Sequence, residues 1–199
     1  MRSVSRVLAG LATAGLFAAP ALAQTSQAPS SKLSLGFTAG LYSLSGDDFE
    51  DVKSGWHFEG TGRYMVSPQV SILGGIGYNI NSTEVSDVSL NVWRIEVQPR
   101  YMFRMSDPKI TPWVGAQIEW HRYSTEFGGD DVNASGFGFG GLGGVTYWTS
   151  PKLGVEVSAA FYSISFGDAS VAGETVSGTD ASGTALGLQV GVVFKLGTR

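Results

Sequence analysis

The tightest grouping of residues able to carry chemistry is "HRYSTE", which places a base (His121), a hydroxyl (Ser124) and an acid (Glu126) close together in the chain. Such a trio serves nucleophilic acyl transfer only when the hydroxyl lies within hydrogen-bond reach of the imidazole. In an extended chain, side chains on one face are two residues apart. His121 and Ser124 are three apart and therefore point to opposite faces. A second candidate, "GDDFED" (residues 46–51), is rich in carboxylates but lacks the acid spacing, the internal glycine and the closing Glu of a calcium loop. A third, "GFGFGGLGG" (residues 136–144), has phosphate-loop glycines, yet no helix follows it and no Lys is placed to receive a phosphate. With no cysteine anywhere, thiolate metal sites and disulfides are excluded. No catalytic, cofactor-binding or metal site is expected.

The remaining charges fall into a pattern. In "NVWRIEVQPRYMF", Trp93, Ile95, Val97, Tyr101 and Phe103 alternate with Arg94, Glu96, Gln98 and Arg100. Period two means a β-strand with one oily and one polar face. Eight such segments can be marked: 33–44, 56–66, 70–81, 90–104, 110–121, 136–148, 153–165 and 185–196. Short proline-bearing links, "VSPQ", "RMSDPK" and "TSPK", alternate with longer links rich in Asp, Gly, Ser and Thr at 45–55, 82–89, 122–135 and 166–184. Twelve of the 17 acids sit in the long links, Asp47, Asp168 and Glu174 among them, with only Lys53 and Arg122 as bases there. Phe49, in the first long link, is expected to lie outside the folded unit.

Composition decides which face looks inward. The face carrying Leu35, Phe37, Phe58, Ile76, Ile95, Ile118, Val157, Phe161 and Val190 has no acid or base through the middle of any strand. The opposite face carries Gly36, Gly40, Gly75, Gly77, Gly138, Gly140 and Gly191 together with the charges. That face is too rich in glycine for an outer surface in water, and small residues suit the narrow lumen of an eight-strand barrel. Aromatics also gather in two bands. Trp56, Tyr78, Trp93, Trp120 and Phe137 lie toward the long links, and Tyr64, Tyr101, Phe103, Tyr147 and Phe194 toward the short ones. Two aromatic girdles at two membrane interfaces have this distribution. The expected fold is all-β, an eight-stranded antiparallel up-and-down transmembrane β-barrel over residues 33–196, with the oily face to lipid.

The ends fit an exported protein. Arg2 and Arg6 precede the apolar run "VLAGLATAGLFAAPALA", and Ala21-Leu22-Ala23 is a small-x-small cleavage site, so residues 1–23 read as a signal peptide. Residues 24–32 form a polar, mobile leader and 197–199 a C-terminal extension. The net charge is −4 and grows more negative once Arg2 and Arg6 leave, which argues against nucleic-acid binding.

"QVGVVFKL", with Gln189, Gly191, Phe194 and Leu196 as polar, glycine, aromatic and apolar positions, resembles the C-terminal signal by which Gram-negative outer-membrane proteins are recognised for assembly. Together with "VQPRYMF" and "TPWVGAQIEW", it makes the chain from Leu33 to Leu196 resemble the small Gram-negative outer-membrane β-barrels, the OmpA-type transmembrane domain and OmpX-like barrels. The resemblance implies residence in the outer membrane, contact with its lipids including lipopolysaccharide, and delivery by the outer-membrane assembly machinery. It implies a non-enzymatic protein contributing to envelope integrity, with acidic surface loops free for adhesion or host contact. A narrow passive channel is the alternative, and an outer-membrane lipid A-modifying enzyme a further one.

The enclosed charges are expected to plug the lumen. The inward set is Glu59, Arg63, Arg94, Glu96, Arg100, Glu119, Glu156 and Lys195, with His57 and His121 nearby. Counted from a turn centred between Ser106 and Asp107, Arg94 and Glu119 should stand opposite each other toward the long links. Glu156 and Lys195 should fall near the short-turn end.

Overall fold

A computed structural model of the chain describes residues 31–83, 89–127, 130–171, 174–177 and 181–197. The expected signal peptide and the expected leader up to residue 30, the acids Glu84, Asp87 and Asp180, and residues 198–199 lie outside the described residues. Among the described residues ten strands follow in chain order: β1 (Leu33–Ser45), β2 (Gly55–Met65), β3 (Val70–Ser82), β4 (Ser89–Met102), β5 (Ile110–Phe127), β6 (Asp130–Trp148), β7 (Leu153–Phe166), β8 (Ala169–Val171), β9 (Glu174–Val176) and β10 (Ala181–Leu196). Eight of them, β1 to β7 and β10, form an antiparallel barrel in which each strand pairs with its chain neighbours. The ring closes where β1 pairs with β10 along its whole length, from Leu33↔Leu196 to Ser45↔Thr184. Closure leaves these eight strands no free edge within the ring, which is the condition for crossing lipid with strands.

Burial is inverted relative to a water-soluble protein. Phe139 is 69% exposed and Ile118 63%, whereas Arg94, Glu96 and Glu119 are each 1% exposed. All the apolar residues named above for the oily face are exposed, and the charged face is enclosed. The girdle residues Trp56, Trp93, Trp120, Phe137, Tyr64, Tyr101, Phe103, Tyr147 and Phe194 point outward as well. Tyr78 and Trp93 pack ring to ring across β3 and β4 at 4.7 Å.

Two of the short links share one device. Ser67 Oγ accepts from the Val70 amide at 3.0 Å, and Ser150 Oγ accepts from the Leu153 amide at 3.0 Å. In each case a Ser-Pro pair opens the turn, the serine capping a backbone donor while proline fixes the bend.

The long links depart from expectation. Residues 122–135 are not a loop: β5 and β6 continue pairing as far as Phe127↔Asp130. The extension is anchored on one face, where Ala134 is buried and the Tyr123 ring packs edge-on against Phe166 at 5.8 Å. Residues 166–184 contribute β8 and β9, a small hairpin hung on the edge of β6 through Val132↔Val171 and Asn133↔Ser170, and the first turns of the ladder of β10. Phe49 does not lie outside the barrel. It sits in a single 3-10 turn (Asp47–Phe49), is buried, and packs edge-on against Phe166 with ring centroids 6.0 Å apart. Asp48 secures the turn by accepting the Ser182 amide at 2.8 Å. With Tyr42, Leu44, Ile164 and Ala185, Phe49 and Phe166 form an apolar cluster among the long-link ends of the strands.

Candidate functional site: the lumen ionic network

Each inward charge owes its position to the pleat, and Arg94, Glu96, Arg100 and Glu119 owe their room to glycine on a neighbouring strand. A Cβ on Gly77 would meet Arg94 Nε at 2.7 Å, and one on Gly138 would meet Glu119 Oε1 at 2.8 Å. These are the close approaches that the glycine-rich inner face permits.

The layer nearer the long links is built on one guanidinium. Arg94 Nη2 donates to Glu59 Oε2 at 2.7 Å and to His57 Nε2 at 3.0 Å, and Nη1 donates to the Tyr162 hydroxyl at 2.8 Å. Glu96 lies 3.3 Å and Glu119 3.6 Å from the same guanidinium. Three carboxylates thus converge on Arg94. His57 Nδ1 donates to Asn79 Oδ1 at 2.6 Å, which leaves Nε2 free to accept from Arg94. His121 Nε2 donates to the Ser165 carbonyl at 3.1 Å, while Nδ1 stands 3.4 Å from Glu119 Oε1.

The layer nearer the short turns has the opposite stoichiometry. Glu156 accepts from Arg63 Nη2 at 2.8 Å, from Arg100 Nη1 at 2.8 Å and from Thr146 Oγ1 at 2.8 Å. Arg100 also lies flat over the Trp113 indole, its Cζ 3.7 Å from the ring centroid, so its faces as well as its edges are used. Two amides join the layers. Gln98 Oε1 accepts from Arg100 Nε at 2.8 Å and Gln98 Nε2 donates to Glu96. Gln117 Nε2 donates to Glu96 Oε2 at 2.9 Å and to Glu119 Oε2 at 2.7 Å. A continuous chain of hydrogen bonds therefore runs through the lumen from Glu119 to Glu156.

Seven of the eight expected inward charges meet in this network: Glu59, Arg63, Arg94, Glu96, Arg100, Glu119 and Glu156. Lys195 does not. It is half-buried, its ammonium lies 3.7 Å over the Trp148 ring, and it joins no salt bridge among the described residues. The expected register is also corrected: Arg94 stands opposite His121, and Glu119 opposite Glu96. Arg94 reaches Glu119 on the diagonal. Tyr162, Trp113, Thr146 and Asn79 are absent from the sequence reading, and Gln98 and Gln117 lie outside the expected set of inward charges. The two glutamines and Asn79 had a usable signal, a buried amide in phase with the charged face.

The other motifs are placed as follows. His121 contacts Ser165, Glu119 and the Phe166 ring at 4.4 Å, and forms no hydrogen bond with Ser124. The side chain of Glu126 is outside the described residues. The glycines of 136–144 lie in β6, with Phe137 and Phe139 projecting outward between them. Among the described residues no group of His, Asp and Glu is arranged to hold a metal ion. In β10, Gln189 Oε1 accepts from Ser158 Oγ at 3.3 Å, Gly191 is pressed against the Phe37 carbonyl and Thr38, Phe194 projects outward, and the Leu196 carbonyl accepts from Ser31 Oγ.

A ring of eight strands with an ionic interior and an apolar exterior is an architecture shared by many chains, and comparison identifies which of them this one joins. The sequence family described as outer membrane protein beta-barrel domain matches residues 9–197. The chain belongs to that family. Among solved structures, this outer-membrane barrel is similar to Neisserial surface protein A, at 19% identity and a TM-score of 0.66, over 83% of this chain and 98% of that one. It is more distantly similar to the N-terminal β-barrel domain of OprF from Pseudomonas aeruginosa, at 14% identity and a TM-score of 0.45, over 81% and 97%. A third, Ail of Yersinia pestis, gives 12% identity and a TM-score of 0.47 over 82% and 97%. Among curated proteins, none matches this chain. The barrel is thus an outer-membrane protein, transmembrane through its strands, and the likeness to these structures is one of fold.

Proposed function

We propose that this outer-membrane barrel is a non-enzymatic protein that contributes to envelope integrity, with its acidic long links forming the surface offered to partners. The observation that carries the reading is the filled lumen. Arg94, Arg63 and Arg100 are each bonded to carboxylates across the barrel, and Gln98 and Gln117 join the two layers along the axis. Eight strands enclose a space about wide enough for side chains alone. A barrel filled this way stiffens the membrane and presents loops; it does not conduct. The alternative, a narrow passive channel, requires the pairs to open. The lipid-modifying reading gains no support from His121, whose partners are a backbone carbonyl and Glu119.

The signal peptide, the engagement of the assembly machinery by Gln189, Gly191, Phe194 and Leu196, and contact with lipopolysaccharide belong to the same reading. Planar-bilayer recording of refolded protein tests its centre. No steady current is expected, and a large sustained current would establish the channel instead. A deletion strain should admit a hydrophobic dye faster than its parent and recover on complementation. Unchanged dye entry would remove the integrity role.

A further inference from the structure

Below the ionic network, at the short-turn end of the lumen, lies a cavity of about 310 Å³. Its wall carries three cations, Arg63, Arg104 and Lys195, against a single acid, Asp107, with the Ser34 hydroxyl and the Trp148 indole completing the polar side. We propose that this cavity is a binding site for a phosphate group, carried either by a small soluble phosphate or by the headgroup of an anionic phospholipid in the adjacent leaflet.

Three observations point to that chemistry. The first is charge. In the layer above, Glu156 is the one carboxylate bonded to both Arg63 and Arg100, so that layer carries one more base than acid. Lys195 adds a second positive charge and is in no salt bridge among the described residues. A local excess of cations favours an anion in the space they share. The second is an unused donor. Arg63 is 5% exposed, and its Nε has no hydrogen-bond partner although its Nη2 is bonded to Glu156. Buried guanidinium donors are ordinarily satisfied, and this one belongs to a side chain that lines the cavity, its nitrogen lying just behind the wall. The third is the placement of Lys195. The Trp148 ring holds the ammonium by one face, and Trp148 is itself fixed by donation from Nε1 to Thr111 Oγ1 at 3.1 Å. The ammonium is thereby held at the cavity wall with its remaining donors free. Lysine acts on phosphate as a point charge and arginine through directed bonds, and the two together supply the donors that a phosphate group takes. Apart from Ser31 and Thr111, the rest of the wall is methionine, proline, Phe103 and Ile110, which accommodates a short apolar portion next to the phosphate.

The test uses the assigned Trp148 indole N–H signal of the refolded full-length barrel. One arm titrates inorganic phosphate in a zwitterionic detergent at constant ionic strength, with chloride as control. The other compares nanodiscs of phosphatidylglycerol with nanodiscs of phosphatidylcholine. A saturable shift in the first arm identifies a soluble phosphate, and a shift confined to phosphatidylglycerol identifies the lipid. In either case Lys195→Glu should weaken the response at least tenfold while keeping the heat-sensitive mobility of a folded barrel. If that variant does not fold, Lys195→Gln serves in its place with the same expectation. The site is refuted if neither arm shifts the signal, if chloride shifts it equally, or if the Lys195 variant responds as the wild type does.

Discussion

Glu96 and Glu119 stand directly opposite one another on β4 and β5, and one side chain, Gln117, donates through its Nε2 to both. Like charges facing each other across strands are destabilising in a sheet. Here the amide and the Arg94 guanidinium hold them together, so acids are in excess around Arg94 and bases in excess around Glu156. That imbalance makes the two layers respond differently to the same substitution.

Glu156→Gln should be severe. It leaves Arg63 and Arg100 facing a neutral amide in an enclosed lumen, where stripping an ion of its partner costs about 3–5 kcal/mol. Glu119→Gln removes one of three carboxylates around Arg94 and keeps a hydrogen-bonding side chain in place. Its effect should stay within about 1 kcal/mol, the scale of a single exchanged hydrogen bond. Urea unfolding in detergent compares the two, and equal losses would contradict the two-layer description.

Arg94→Ala should cost about as much as Glu156→Gln, because Glu59, Glu96 and Glu119 then face one another without a cation. Adding Glu119→Gln should recover part of the loss. A double-mutant cycle reads the coupling, and strict additivity would mean that the pair at 3.6 Å contributes nothing.

Phe49→Ala should loosen the long-link end without opening the ring. The Phe49 ring packs on Phe166 and against Gly183, so its removal should destabilise by about 2–4 kcal/mol, somewhat below a full core phenylalanine. Limited proteolysis should cut first within residues 46–54, while the folded band persists on unboiled gels. Cleavage unchanged from wild type would show that the cap is loose already.

Phe194→Ala and Gly191→Asp should lower the amount of folded protein in outer-membrane fractions far more than Val176→Ala, an exposed residue of β9. Gly191→Asp forces a side chain against the Phe37 carbonyl and Thr38 on the closing strand. Equal levels for all three would remove the assembly role of the last strand.

The wild-type protein should migrate at different positions boiled and unboiled, and show β-sheet circular dichroism in detergent. The closed ladder between β1 and β10 leaves no edge from which the ring can fray. A single band at one position would contradict closure.

What the sequence determined by itself is the set of faces. Alternation is a local property of the pleat, so Arg94, Glu96, Gln98 and Arg100 were bound to share one side of β4, and Trp93, Ile95 and Val97 the other, whatever they paired with. The glycine content of the charged face then chose which side was enclosed, because only small residues let eight strands close around charges. Partners were not legible in the same way. Arg63 and Glu156 are 93 residues apart, and Arg100 and Glu156 are 56 apart; they meet across the lumen because closure and strand stagger bring them level. The turn after β4 is centred between Asp107 and Pro108, one residue beyond the expected midpoint, and this slides the register by two, setting Arg94 against His121. The extended β5–β6 hairpin was hidden for a related reason. Its anchors, Tyr123 and Ala134, find apolar partners in Phe166 and the first long link only in the closed ring, and the polar residues around them leave no continuous pattern, so only the folded chain reveals it.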